Sequence, residues 1–179
     1  MTKQIRVLLD MDGVLVDFGK QYKLINGVYP DEVYVPGGPR SPEKDRLWNQ
    51  YVDKEGFVDA PLHEGAVELV GELSRLIRDN KIQAIEICTS AGGKERMEDV
   101  ARQKRLWLKS QCLDDLPAHI VQNGNKKADM INKEKYHDIL IDDTDRVLEN
   151  FIAHGGYGII HKSTPDTIRQ LHALIDSLT

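Results

Sequence analysis

The chain has 179 residues, 30% of them charged, with 29 acidic against 24 basic residues and a formal net charge of −5. That length supports one globular core with a small insertion. The acidic balance argues against general affinity for nucleic-acid backbone, and no apolar run reaches membrane-spanning length, which points to a soluble protein. Two cysteines, Cys88 and Cys112, point to a reducing, cytoplasmic setting rather than a disulfide. The apolar stretch near the start is broken by Asp10 and is too short for a signal peptide. No internal repeat or low-complexity tract is visible.

The first element is the most telling. Ile5 to Leu9 is a short apolar run that closes on Asp10-Met11-Asp12-Gly13, the pattern of a buried strand ending in a charged loop. Where a strand opens into a turn, two carboxylates one residue apart can reach a common point beyond its carboxyl end. Such a pair can hold a hard divalent cation and leave one oxygen free as a nucleophile. The plain alternative is an Asp-Gly turn between two strands.

Residues 17–62 break the pattern with Pro30, Pro36, Pro39 and Pro42 and the loop Val35 to Pro42. A long structureless loop is uncommon inside a compact domain, so this stretch is expected to be a small insertion with one or two helices, including Glu43 to Val52. Phe18, Trp48, Tyr51 and Phe57 lie in it; aromatic faces suit a nucleobase, or serve simply as core.

From residue 63 helices and strands alternate. Ala66, Leu69, Val70, Leu73, Leu76 and Ile77 share one helix face, and Ile82 to Cys88 follows as a strand. Met97, Val100, Trp107 and Leu108 mark a second helix, Ala118 to Val121 a weak strand and Asp138 to Ile141 a firm one. Asp145 is read as capping a helix through Val147, Leu148, Phe151 and Ile152, which Gly155-Gly156 ends; Tyr157 to Ile160 is a further strand. A last helix carries Ile168, Leu171, Leu174, Ile175 and Leu178, opened by Thr164-Pro165. This alternation implies an α/β fold: a mainly parallel sheet with helices on both sides and ligands beyond the carboxyl ends of the strands.

Two more of those ends, and one loop, carry chemistry besides the first. The strand through Ile141 stops at Asp142-Asp143, the strand through Cys88 stops at Thr89-Ser90, and Lys126-Lys127 opens a weak helical segment between them. Four crowded carboxylates call for a cation, and acid, hydroxyl, lysine and acid together are the set that phosphoryl transfer requires. Lys94, Arg96 and Arg102 are either a greeting for an anion or a solvated helix face. Gly92-Gly93-Lys94 lacks the rest of a P-loop, and the six histidines show no ligand spacing.

Asp10-x-Asp12-Gly13-Val14, Thr89-Ser90, Lys127 and Leu140-Ile141-Asp142-Asp143 resemble the four motifs of the haloacid dehalogenase-like (HAD) phosphohydrolases. Asp17-Phe18, Gly65-Ala66, Gln103-Lys104, Trp107-Leu108 and Gly155 to Ile160 extend the resemblance to the small 5'(3')-deoxyribonucleotidases and their phage relatives. The resemblance implies a Rossmann-like HAD core over residues 1–16 and 63–179 and a small cap over residues 17–62. It implies that Asp10 is the nucleophile and Asp12 the general acid and base. Mg²⁺ would be held by Asp10, the carbonyl of Asp12 and Asp143, with Asp142 acting through water. Thr89, Ser90 and Ala91 would bind the phosphoryl oxygens, and Lys127, with Lys126 as the alternative, would neutralise them. Phe18, Trp48 and Tyr51 would meet the substrate, a small phosphomonoester of nucleotide type. A polynucleotide 3'-phosphatase, a sugar-phosphate phosphatase and an inactive phosphate-binding domain stay open at this point, as does a homo-oligomer. A signalling receiver does not fit, because there the acidic pair comes first and the acceptor Asp lies in mid-chain.

Overall fold

A computed structural model describes residues 3–33 and 41–179. Five strands, β1 (Gln4–Leu9), β2 (Ala84–Ser90), β3 (Ala118–Val121), β4 (Tyr136–Asp142) and β5 (Tyr157–Ile160), pair in parallel in the order β3-β2-β1-β4-β5. The order reverses between β1 and β4, so the crevice beyond their carboxyl ends is where ligands of such sheets bind. The fold is therefore the α/β arrangement, a parallel sheet with helices on both sides, that the alternating pattern implies. The central strands carry apolar residues on both faces because both are covered, apart from the buried Arg6 and Asp138.

One face packs Ile5, Val7, Leu9, Ile87, Ile139 and Ile141 against α4 (Ala66–Arg78), α5 (Met97–Ser110) and α7 (Thr164–Leu178). The other packs Leu8, Cys88 and Leu140 against α6 (Asp145–Ala153) and a 3-10 segment, Gly124–Met130. Cys88 is buried and Cys112 exposed, and both are free thiols. No helix among the described residues is long and apolar enough to cross a membrane.

Between β1 and α4 lie α1 (Phe18–Asn26), the single turn α2 (Pro30–Val33) and α3 (Pro42–Asp53). Tyr22, Leu47, Tyr51, Val52 and Phe57 form a second apolar cluster with Ala91 just after β2, Val100 of α5 and Ile120 of β3. Polar ties reinforce it. Gln103 donates to the Val52 carbonyl (2.7 Å) and accepts from the Phe57 amide (3.3 Å). Arg96 pairs with Asp53 and Asp99, and Arg102 with Glu55. These two arginines tie the end of α3 and the turn after it to α5, and are not among the residues that line the acidic crevice. Of the loop expected from Val35 to Pro42, residues 35–40 fall outside the described residues, while Ser41 caps α3 and Pro42 opens it.

Several boundaries differ from the sequence reading. Strand β2 runs two residues later than expected, to Ser90. The segment through Lys127 is a 3-10 turn in which Lys127 lies inside rather than at the start. Thr144, not Asp145, occupies the cap position of α6, and Ser163 precedes Thr164 at α7. In both cases the hydroxyl residue adopts the extended backbone of a cap while the next residue is already helical.

Candidate active site

The turn after β1 is built around Met11 and Gly13. The Met11 carbonyl accepts from the amides of Leu15 (2.8 Å) and Val16 (2.8 Å), and the Gly13 amide donates to the Val16 carbonyl (2.9 Å). Gly13 sits at φ +75°, and a Cβ there would lie 2.0 Å from Asp143 Oδ2, so only glycine lets the two acidic loops meet.

At that meeting point Asp10, Asp142 and Asp143 each present a carboxylate oxygen, all within 4.8 Å of one another. Lys127, buried under the 3-10 segment, reaches Asp10 Oδ1 at 2.8 Å and Asp142 Oδ2 at 2.6 Å. The other oxygen of Asp142 accepts from the Thr144 amide (3.0 Å), and the Thr144 hydroxyl donates to Asp143 Oδ1 (3.0 Å). Burial first, and the Asp10 charge second, raise Asp142 to about 6. Asp143 opens to solvent on one side but is enclosed enough on the other for desolvation, then the Asp10 and Asp142 charges, to raise it to about 7. Asp10 and Asp142 hold Lys127 firmly protonated against the cost of its burial. Three carboxylates against one ammonium leave excess negative charge on hard oxygen donors, which is the donor set and charge that Mg²⁺ takes.

Across the crevice stands a second ion pair. Lys104 of α5, wholly buried, donates to Asp12 Oδ2 (2.6 Å), to Thr89 Oγ1 (2.8 Å) and to the Ser90 carbonyl (2.8 Å). All three protons of its ammonium are thereby used. Asp12 Oδ1 is buried without a partner. Desolvation raises the Asp12 carboxyl above the usual carboxylate range, with Lys104 opposing the rise. Sequence reasoning alone gives Lys104 no role, although a signal exists. Val100, Gln103, Lys104 and Trp107 fall on one helical stripe, so a lysine occupies a core-facing position.

A cleft of about 560 Å³ joins the two pairs. Asp10, Asp12, Phe18, Trp48, Ser90, Lys127, Asp142 and Asp143 line it, together with Asp17, quoted in the sequence reading without a role, and Tyr29, Asp31, His63 and Thr144, which sequence reasoning did not single out. The other expected site residues lie elsewhere. Thr89 is fully buried and turns towards Lys104, because neighbouring strand residues face opposite ways and Ser90 takes the cleft side. The Ala91 amide is committed to the Val121 carbonyl (2.8 Å). Lys126 is exposed and paired with Asp129. The Tyr51 ring is buried behind the cleft wall, edge-on to Phe57 at 4.9 Å and stacked beside Trp48 at 6.2 Å. Phe18 lies parallel to Phe57 at 5.9 Å.

No protein-family model matches the sequence, and no curated protein matches it. Solved structures do. The protein YfnB of Bacillus subtilis, described as a HAD-hydrolase bound to magnesium, superposes with a TM-score of 0.57 over 98% of this chain and 100% of its own, at 14% identity. A hydrolase from Streptococcus pneumoniae TIGR4 superposes at 0.51 over 98% and 100%, at 15% identity. At such identities the likeness is one of fold. The five-stranded parallel core shares its Rossmann-like α/β fold with these two hydrolases.

Proposed function

We propose that this chain is a Mg²⁺-dependent phosphomonoester hydrolase that works through an aspartyl-phosphate and acts on deoxyribonucleoside monophosphates. The observation that carries the reading is the position of Asp10. Its carboxylate meets the Lys127 ammonium and shares one cluster with Asp142 and Asp143, with Asp12 facing the same cleft.

Each residue has its own part in the reaction. Asp10 attacks phosphorus through one carboxylate oxygen, and the bond from phosphorus to the leaving oxygen breaks. Asp12 gives its proton to that oxygen. Lys104 already occupies Oδ2, so the proton resides on Oδ1, the oxygen that has no partner. A water then attacks the phosphoryl group, Asp12 takes a proton back, phosphate departs and Asp10 is restored. Lys127 offsets the charge of Asp10 and of the phosphoryl oxygens, and the Ser90 side of β2 supplies the opposite wall. Asp10, Asp143 and Asp142, with the carbonyl of Asp12, are the groups that would hold Mg²⁺. Bound there, the ion supplies positive charge that lets a phosphate dianion approach the acids. The insertion over residues 17–62 acts as the cap.

Two features support a nucleotide. Phe18, Tyr29 and Trp48 line the same cleft as the acids, and stacking on an aromatic contributes about 1–3 kcal/mol per base. Lys127 is the one Lys or Arg among the described lining residues, against Asp10, Asp12, Asp17, Asp31, Asp142 and Asp143, which disfavours the many phosphates of a polynucleotide. The test is a phosphate-release screen over nucleoside monophosphates, sugar phosphates and 3'-phosphorylated oligonucleotides, with and without Mg²⁺. Release from deoxynucleotides ahead of the other classes, abolished by EDTA, is expected. Sugar phosphates outrunning every nucleotide would remove the nucleotidase reading and leave the phosphatase.

A further inference from the structure

The sheet face under Lys127 is layered. Arg6, Leu8 and Asp10 alternate onto it from the β1 side, and Asp138, Leu140 and Asp142 from β4, with Arg6 level with Asp138 and Leu8 with Leu140. The outer layer is the acidic site, where Lys127 meets Asp10 and Asp142. The middle layer is apolar, with Leu8, Leu140, Cys88 and Ala128. The inner layer is ionic. Arg6 donates from Nε to Asp138 Oδ1 (2.7 Å), from Nη1 to Glu86 Oε2 (3.0 Å) and from Nη2 to the Met130 carbonyl (2.5 Å). The second oxygen of Asp138 accepts from the Asn132 amide (2.6 Å). Arg6 and Asp138 are both buried.

Met130 ends the 3-10 segment that presents Lys127, and Asn132 follows it. The segment is thus pinned twice: at the outer layer by the Lys127 ammonium, and at the inner layer by its own backbone on the Arg6–Asp138 pair. Residues 128–134 border a surface cleft of about 600 Å³, which leaves room for the stretch to shift once that backbone grip is lost. A buried ion pair adds little to stability over an apolar pair of similar volume, because desolvation offsets its attraction. What this one supplies beyond stability is placement.

We propose that the Arg6–Asp138 pair is a positioning device for Lys127. It sets the depth and register of the 3-10 segment so that the ammonium falls between Asp10 and Asp142. The effect on rate rests on the phosphatase reading above; the effect on the segment does not. An ångström of misplacement at a reacting centre can cost about a hundredfold in rate.

The test compares wild type, Arg6→Lys and the double variant Arg6→Met/Asp138→Leu, which removes both charges together and leaves Glu86 its His119 partner (2.7 Å). Three readouts are taken: melting temperature, amide hydrogen exchange, and kcat and KM on p-nitrophenyl phosphate with Mg²⁺. The double variant is expected to melt within a few degrees of wild type. Its amides over 124–132 should exchange at least tenfold faster, while those of β1 and β4 hold. Its kcat should fall about tenfold or more with KM changed less than threefold. Arg6→Lys keeps the charge but cannot serve three acceptors in that fork geometry, and should fall between the two. Unchanged exchange over 124–132 overturns the proposal whatever the activity, and exchange in Arg6→Lys decides the matter in the same way should the double variant not fold. Faster exchange with undiminished kcat overturns the link to Lys127. A wild-type enzyme that releases no phosphate overturns the phosphatase reading instead, and the exchange measurement still decides the clamp.

Discussion

Lys104 Nζ lies 2.6 Å from Asp12 Oδ2 with no solvent access of its own, so the carboxylate across the cleft from the acidic cluster has one oxygen tied and one free. That pairing distinguishes Asp12 from Asp10, whose partner is Lys127. Two aspartates one residue apart are thereby held by two different lysines from two different elements, which suits them to different roles.

Lys104→Met keeps the volume and removes the charge. Because the Lys104 charge lowers the Asp12 carboxyl, its loss lets that group rise further. The alkaline limb of kcat/KM should move to higher pH, and kcat should fall about a hundredfold as Asp12 loses its fixed orientation. A pH–rate profile on p-nitrophenyl phosphate checks both. An unshifted limb would show that Asp12 is not the group that titrates.

Asp10→Asn preserves size while removing the attacking oxygen's charge. The fold should persist and turnover drop to background. A variant that keeps a tenth of wild-type activity with Mg²⁺ bound rules out the covalent route.

Asp143→Asn should weaken Mg²⁺ binding tenfold or more in titration calorimetry, whereas Asp145→Asn should change it less than twofold. Asp143 shares the carboxylate cluster with Asp10 and Asp142, while Asp145 only opens α6. Equal losses at the two positions would displace the metal assignment.

Stability without metal should fall as pH rises. The folded state raises Asp142 to about 6 and Asp143 to about 7, chiefly by burial, so between about pH 4 and 7 it binds more protons than the unfolded chain. Stability conferred by those protons is present at the acid end and lost as pH climbs through the folded-state values. Mg²⁺ replaces the protons, so its stabilising effect should grow with pH. Melting curves from pH 5 to 8, with and without MgCl₂, should converge at the acid end and separate at the alkaline end.

Phe18→Leu retains most of the packing against Tyr22, Tyr51 and Phe57 but removes a flat aromatic face from the cleft. Losing about 1–3 kcal/mol of stacking corresponds to roughly ten- to a hundredfold in kcat/KM on nucleotides, with p-nitrophenyl phosphate nearly unaffected. A parallel fall on both substrates would make Phe18 a packing residue alone.

Much of this architecture is written locally. Apart from Arg6, Ile5 to Leu9 is apolar like Ile139 to Ile141 because both faces of a parallel sheet are covered, and each run stops at acids because the strand ends there in a polar crevice. Asp10, Asp142 and Asp143 could therefore be placed at strand ends from spacing alone, as could Gly13, whose neighbours demand a turn. The amphipathic stripes of α4 and α7 were equally plain, since a helix that buries one face must repeat its apolar residues with the helical period.

The rest required distant residues to meet. Lys104 stands in the sequence only as a neighbour of Gln103 in the family resemblance, with no role, until α5 lies against β2 and turns it onto Asp12. Thr89 and Ser90 are interchangeable as a hydroxyl pair, and the pleat assigns Ser90 to the cleft and Thr89 to the buried lysine. Tyr51 and Phe18 are alike as aromatics, but α3 carries Tyr51 into the cluster behind Trp48 while α1 leaves Phe18 on the wall. Local pattern determined which strands end in acids and which helices are amphipathic, because periodicity depends only on near neighbours along the chain. Which lysine faces which carboxylate was decided by packing, because an ion pair between Asp12 and Lys104, or Arg6 and Asp138, exists only once the sheet and its helices have brought the two ends of a long chain segment together.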